Sequence, residues 1–120
     1  MLSPFGGKSY KESIMKIKKG EFKVATSEGF VYREGSYATC YPFYIHRDFE
    51  ENLWTLSHLA TGYNIKKGLT LADARSLARY LKTFPLFLVP TIETFTKQLE
   101  IHKTKNPTKH AEMLKRITGN

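Results

Sequence analysis

From Glu21 onward apolar and polar residues alternate with a period of two, the spacing of a strand with one buried face. Residues 21–26 put Phe22 and Val24 on one side, Ser27-Glu28-Gly29 is a turn, and residues 30–34 resume the alternation before Gly35-Ser36 breaks it. Two β-prone runs follow, 37–47 and 53–60, joined by a polar hairpin loop at 48–52. Thr61-Gly62 and Lys67-Gly68 bracket a last short strand, 63–66. Nine of the sixteen aromatic residues lie between Phe30 and Tyr63, so the middle of the chain reads as an antiparallel meander.

Pairing Arg47 with Asn52 sets Ile45 opposite Trp54, Phe43 opposite Leu56 and Tyr41 opposite His58. One face then carries Tyr41, Phe43, Ile45, Trp54, Leu56 and His58, which is the expected core. The other carries Cys40, Tyr44, His46, Leu53, Thr55, Ser57 and Leu59. A slip of one residue would exchange the faces. Pro42 has no N–H for a ladder, which places its strand at an edge or a bulge.

On either side of this region the period is helical. Ser9 and Glu12 fit a capping box, Tyr10, Ile14 and Ile17 recur at helical spacing, and Lys16, Lys18 and Lys19 with Gly20 suit a last turn and cap. Residues 15–18 also alternate, which fits a strand. The clearest helix follows Leu69: Thr70 and Asp73 cap it, and Leu71, Ala74, Leu77, Ala78 and Leu81 form its apolar stripe, ending near Phe84 before Pro85. Thr91 caps a third helix with Ile92, Phe95 and Leu99 inward. Asn106-Pro107 ends it and starts a fourth, with Ala111, Leu114 and Ile117 inward. The predicted fold is α+β, an antiparallel β-meander of three to five strands packed against C-terminal helices, with a short N-terminal helix. It forms a single domain over residues 1–120, with a flexible leader at 1–8, sheet at 21–66 and helices at 70–118.

Composition changes this picture in one respect. The chain has 120 residues and a net charge of +8, and the charge is unevenly spread. Residues 8–23 carry +4, 24–65 carry −3, 66–82 carry +4 and 83–120 carry +3. The cations therefore flank an acidic sheet. Phosphate binding needs Lys and Arg gathered on one surface, where each neutralised phosphate releases counterions. Arg75, Arg79 and Lys82 stack along one helix side, with Lys66 and Lys67 just before it, and Lys103, Lys105, Lys109, Lys115 and Arg116 form a second tract. These ten residues are the candidate nucleic-acid contacts; the plainer reading is a solvated face of a basic protein. A base-stacking sheet fits less well, because the aromatic strands carry Asp48, Glu50 and Glu51 and few cations. Tyr44, Phe49 and Phe87 are candidates for protein contact, since aromatics anchor interfaces.

Catalytic chemistry finds no coherent set. Cys40 and His58 fall on opposite predicted faces, and Cys40 and His46 share a face at roughly 20 Å along a strand. A zinc site from His46, His58, His102 or His110 needs a convergence that the sequence does not show, Asp48, Glu50 and Glu51 read as a solvated loop tip rather than a magnesium site, and no Gly-rich phosphate loop is present. No catalytic residue, metal or cofactor is expected. One cysteine excludes an internal disulfide framework and points to a reducing, cytoplasmic setting. The longest apolar run, residues 85–90, is far short of the roughly 20 needed to span a bilayer, and residues 1–7 lack the order of a secretory signal.

Trp54-Thr55-Leu56-Ser57-His58, then Thr61-Gly62, then Leu69-Thr70-Leu71-Ala72-Asp73-Ala74 resembles a pattern in small accessory proteins of bacteriophages and plasmids. The short basic chain is similar to theirs. The resemblance implies a partner in host nucleic-acid machinery or host defence and assigns no residue roles. The expectation is a non-enzymatic accessory protein that binds nucleic acid through basic helical surfaces. The alternative is an inhibitor or adaptor that binds a host protein or nucleoprotein, and a homodimer over an unpaired strand edge fits either.

Overall fold

A computed structural model describes residues 16–119. Five strands come first: β1 (Lys18–Thr26), β2 (Gly29–Cys40), β3 (Phe43–Asp48), β4 (Trp54–His58) and β5 (Asn64–Leu69). Each pairs antiparallel with the next, so the sheet order equals the chain order. Helix α1 (Leu71–Leu81), a 3-10 turn (Pro85–Phe87), α2 (Ile92–Lys105) and α3 (Pro107–Thr118) follow. This is the α+β meander with C-terminal helices that the periodicities predict. Lys18, Lys19 and Gly20 open β1 rather than closing a helix, in line with the alternation at 15–18. The proposed cap Ser9/Glu12, with Tyr10 and Ile14, lies outside the described residues, as does the leader.

The run 37–47 is two strands rather than one. Cys40 pairs with Phe43, and the chain reverses at Tyr41-Pro42, whose peptide bond is cis. The missing proline N–H thus falls in a turn, and β3 sits in the middle of the sheet rather than at an edge. Phe43 faces His58 and Ile45 faces Leu56, a two-residue slip from the predicted register. A slip of two keeps side-chain parity, so Phe43, Ile45, Trp54, Leu56 and His58 still share one buried face. Tyr41, in the turn, is 62% exposed and leaves the expected core. The same turn moves Cys40 onto the core face beside Ala38 and Phe43.

That face meets Ala74, Leu77, Ala78 and Leu81 of α1, the predicted stripe, together with Phe84, Leu86, Phe87, Phe95 and Met113. Thr70 caps α1 by accepting from the Asp73 amide, and Thr91 caps α2 by accepting from the Thr94 amide. The later stripes are rotated from prediction. Ile92, in the first turn of α2, is exposed, as are Ala111 and Leu114 of α3. His102 extends the inward row of Phe95 and Leu99, and His110, Met113 and Ile117 form that of α3. Histidine counted as polar hides this row. Its two rings satisfy one another, Nδ1 to Nδ1, at 2.9 Å.

The sheet is not flat. In a flat sheet β1 and β5 would lie four strand spacings apart, roughly 19 Å. Instead Val24 and Ser27 line the same cleft as Thr55, Asn64 and Lys67, and the Phe30 ring lies against Gly62 in the β4–β5 turn. The β1–β2 hairpin therefore curls over the face that the helices leave open. This buries Phe22 and Val24, which point away from the helical layer. Gly20 and Gly35 are directly paired at the base of the curl. Gly20 has φ +151°, and a Cβ on Gly35 would collide with the Arg47 carbonyl. Gly35-Ser36 is thus a bend within a continuous β2 and not the break its composition suggests.

Trp54 is 5% exposed, and the Arg47 guanidinium lies 4.9 Å from its ring. Trp54→Ala should cost roughly 3–5 kcal/mol by chemical denaturation. An unchanged unfolding midpoint would remove Trp54 from the core.

Candidate nucleic-acid interface

The ten candidate cations do not gather on one surface. Arg79 and Lys82 are exposed on α1, and their charge reaches buried Cys40. Arg75, on the same side, is half-buried. A Cβ on Gly119 would come within 2.6 Å of Lys66 Nζ, which places this β5 lysine at the C-terminus of α3, where carbonyls favour a cation. Lys115 and Arg116 occupy the last turn of α3, and the Arg116 guanidinium stacks 4.1 Å over Tyr80 of α1. The fold thus joins the end of α3 to α1 and β5, bringing Lys66, Lys115 and Arg116 together. Lys103, Lys105 and Lys109 flank the Asn106 corner at the other end of α3. Lys67 belongs to neither group, because it lines the cleft on the opposite face.

Among the described residues, Arg79, Lys82, Lys103, Lys105, Lys109 and Lys115 form no ion pair with a carboxylate. Arg33 does pair with Asp48, at 3.7 Å, on the sheet. The helical layer therefore presents cations whose charge is not neutralised locally.

Two of the three protein-contact candidates are internal. Phe87 is 3% exposed and packs edge-on to Phe43 at 5.0 Å. Tyr44 is 8% exposed because the curled hairpin covers it, and its hydroxyl donates to the Lys23 carbonyl. Burial pushes the Tyr44 phenol up, with Ser57 opposing. A linear pattern carries no sign of that curl, so Tyr44 read as exposed. Phe49 is 59% exposed in the β3–β4 loop, as expected.

Apart from the His102–His110 pair, His58 and His46 each sit in a hydrogen-bonded system that fixes the tautomer. His58 Nε2 lies 2.7 Å from the Phe87 carbonyl, which can only accept, so Nε2 carries the proton. Nδ1 then accepts from the Thr61 hydroxyl at 2.9 Å, and that oxygen accepts from the Tyr63 amide. On the open face Ser57 donates to Asn64 Oδ1 at 2.8 Å. Its single proton is committed there, so His46 Nε2–H donates to Ser57 Oγ at 2.9 Å. A base that holds its proton toward the serine does not activate it. Cys40 shares the core face with His58 rather than with His46, the reverse of the sequence reading. Both His58 nitrogens are occupied, and burial pushes the Cys40 thiol up.

Burial holds His46 neutral, pushing its pKa down to about 4 against an ordinary 6.5, with Asp48 partly opposing and Lys67 adding. His58 is lowered in the same direction, also by burial. The unfolded chain therefore takes up a proton on His46 near pH 6.5 that the folded chain refuses until about pH 4, and His58 acts in the same direction. Stability should be highest above pH 6.5 and fall steadily as the pH drops toward 4, with His46 alone accounting for about 3 kcal/mol. Thermal melts from pH 8 to 4 measure this. His46→Gln keeps a donor toward Ser57 but does not titrate, and should flatten the slope; an equal slope in that variant would exclude His46 as its source.

The chemistry described here stands on this chain alone: no protein-family model, curated protein or solved structure matches it.

Proposed function

We propose that the protein is a non-enzymatic accessory protein that binds the phosphate backbone of a nucleic acid through its helical layer. The supporting observation is the charge of residues 66–119, eleven Lys and Arg against four Asp and Glu. Exposed side chains such as Arg79, Lys82 and Lys115 stand outside ion pairs among the described residues. Cations already neutralised by carboxylates would gain little from phosphate, whereas these release counterions on contact. Because the cations fall in groups on different elements, the reading is of backbone contact and not of base readout. The resemblance to phage and plasmid accessory proteins favours the same partner class. Binding of a duplex or single-stranded oligonucleotide should weaken linearly in log–log plots against salt. Arg79→Glu with Lys82→Glu, or Lys115→Glu with Arg116→Glu, should each weaken it about tenfold or more and lower the salt slope by about two. Binding that ignores salt, or survives both double reversals, would overturn the proposal.

A second reading, an inhibitor or adaptor of a host protein, is favoured by Phe49. This ring stands 59% exposed at a loop tip beside Glu50 and Glu51, where core packing does not explain it. On this reading Phe49→Ala abolishes nuclease-resistant capture of a host protein while leaving oligonucleotide binding intact. Capture unaffected by that change would dispose of Phe49 as the anchor.

A further inference from the structure

One end of the sheet is free of charge. The β2–β3 turn, the β4–β5 turn and the segment leading into α2 converge there on His58. Residues 40–46, 53–65 and 83–92 contain no Asp, Glu, Lys or Arg, in a chain that is 25% charged. Their large apolar side chains are not all spent on the core. Tyr41, Leu59, Tyr63, Leu88 and Ile92, with Phe30 of the curled hairpin, are 42–62% exposed. These six adjoin. Phe30 lies against Gly62 and lines one cavity with Leu59. The Leu59 amide donates to the Pro42 carbonyl at 3.0 Å, next to Tyr41. The Tyr63 ring stands 6.3 Å from Phe95, one helical turn from Ile92, and Leu88 follows the carbonyl that His58 holds.

Six large side chains, about half exposed, present roughly 600 Å² of apolar surface at about 200 Å² for each whole side chain. That is at the upper end for a patch on a monomer, and with its rim it approaches the roughly 800 Å² that each partner gives to a stable interface. The rim carries both signs. Glu21 and Lys23 line the cavity beside Phe30 and Leu59, Glu93 follows Ile92, and Lys82 is near enough to act on Cys40, next to Tyr41. An apolar centre without charge inside a polar rim is the anatomy of a contact between proteins. An anionic surface would instead call for a rim of cations alone.

Charge selects a second copy as the occupant. Two chains of net +8 repel, and they approach at least cost where neither presents charge. About a two-fold axis the two rims face each other, so the carboxylates of one copy can meet the lysines of the other. The free edges of the sheet are poorer candidates, because Lys18, Lys19 and Lys23 stud β1 and Lys66 and Lys67 stud β5. The cations at the Asn106 corner stay clear, since Lys103 lies roughly 16 Å along α2 from Ile92. We infer that the chain forms a two-fold homodimer through this uncharged end, burying the six half-exposed side chains against their counterparts. The inference does not rest on the nucleic-acid reading.

Sedimentation equilibrium of the full chain over a range of concentrations tests it. The expected result is a monomer–dimer equilibrium, with concentration-dependent amide NMR shifts at residues 30, 41, 59, 63, 88 and 92 and none along the free edges. Leu88→Lys with Ile92→Lys places four added cations in the shared interface and should weaken association about tenfold or more. Circular dichroism shows whether that variant folds; if it does not, the shifts of the unaltered chain decide. Lys103→Glu with Lys105→Glu should leave association no weaker. Salt should strengthen the dimer by screening the repulsion between two basic chains, the opposite of its effect on phosphate-backbone binding. A chain that stays monomeric up to millimolar concentration, a dimer whose shifts map to β1 or β5, or association untouched by the double lysine variant overturns the inference. Monomers whose same six residues shift only with anionic lipid vesicles overturn it in favour of a lipid surface.

Discussion

One buried imidazole holds the two layers of this protein together. His58 sits at the end of β4, 1% exposed, with ring contacts to Phe43, Phe87 and Phe95 at 5.0–5.9 Å. One nitrogen fastens the 3-10 turn through the Phe87 carbonyl and the other fastens the β4–β5 turn through Thr61. The neutral ring with its proton on Nε2 satisfies all these groups, Nε2–H donating to the Phe87 carbonyl and Nδ1 accepting from the Thr61 hydroxyl. Removing it would strand several buried polar atoms at once, which costs more than any one lost bond. Gly62, at φ +75°, completes the turn and lets the Phe30 ring approach within 2.5 Å of where a Cβ would stand. The motif that runs from Trp54 through Thr61-Gly62 to the Thr70 cap is therefore a set of fastenings. Trp54 fills the core, His58 and Thr61 join the layers, Gly62 admits the hairpin, and Thr70 starts α1.

What could be read from the sequence follows from which interactions are local. The caps at Thr70 and Thr91, the α1 stripe and an antiparallel meander of three to five strands depend on near neighbours and are legible, whereas the division of residues 30–47 into two strands is not. The β3–β4 register was off by two, yet the core face survived because side-chain direction has a period of two. Errors arose where a distant partner decides. The turn at Tyr41-Pro42 reversed the face of Cys40 and expelled Tyr41. The curl of β1–β2 buried Tyr44, and the approach of the Arg47 carbonyl explains Gly35. His102 and His110 fill inward positions only because each is the other's partner. Of the candidate site, the list of cations was legible, but their division among separate surfaces was not, since Lys66 and Lys67 adjoin in sequence and serve opposite sides of the sheet.

The same division separates two kinds of electrostatics. On the helical layer, exposed cations meet water and salt, and their influence fades within about 10 Å at moderate ionic strength. In the cleft, buried His46 and half-buried Asn64 are tied to one another through Ser57, beneath a rim of exposed or half-buried charges of both signs that includes Arg33, Asp48, Glu51 and Lys67. The acidic balance of the sheet region, −3 over residues 24–65, hides this, because a sum over a segment does not show which side chains face a cavity.

The sheet order has a consequence for how the chain reaches this form. Because β1 to β5 pair strictly with their neighbours in sequence, no strand has to wait for a later one to reach it. Each hairpin can close as its second strand leaves the ribosome, with loops of only a few residues to order. The face that α1 must cover is laid down before α1 is made. What remains exposed in the interval is an apolar sheet without its lid, and the speed with which the last fifty residues arrive sets how long that interval lasts.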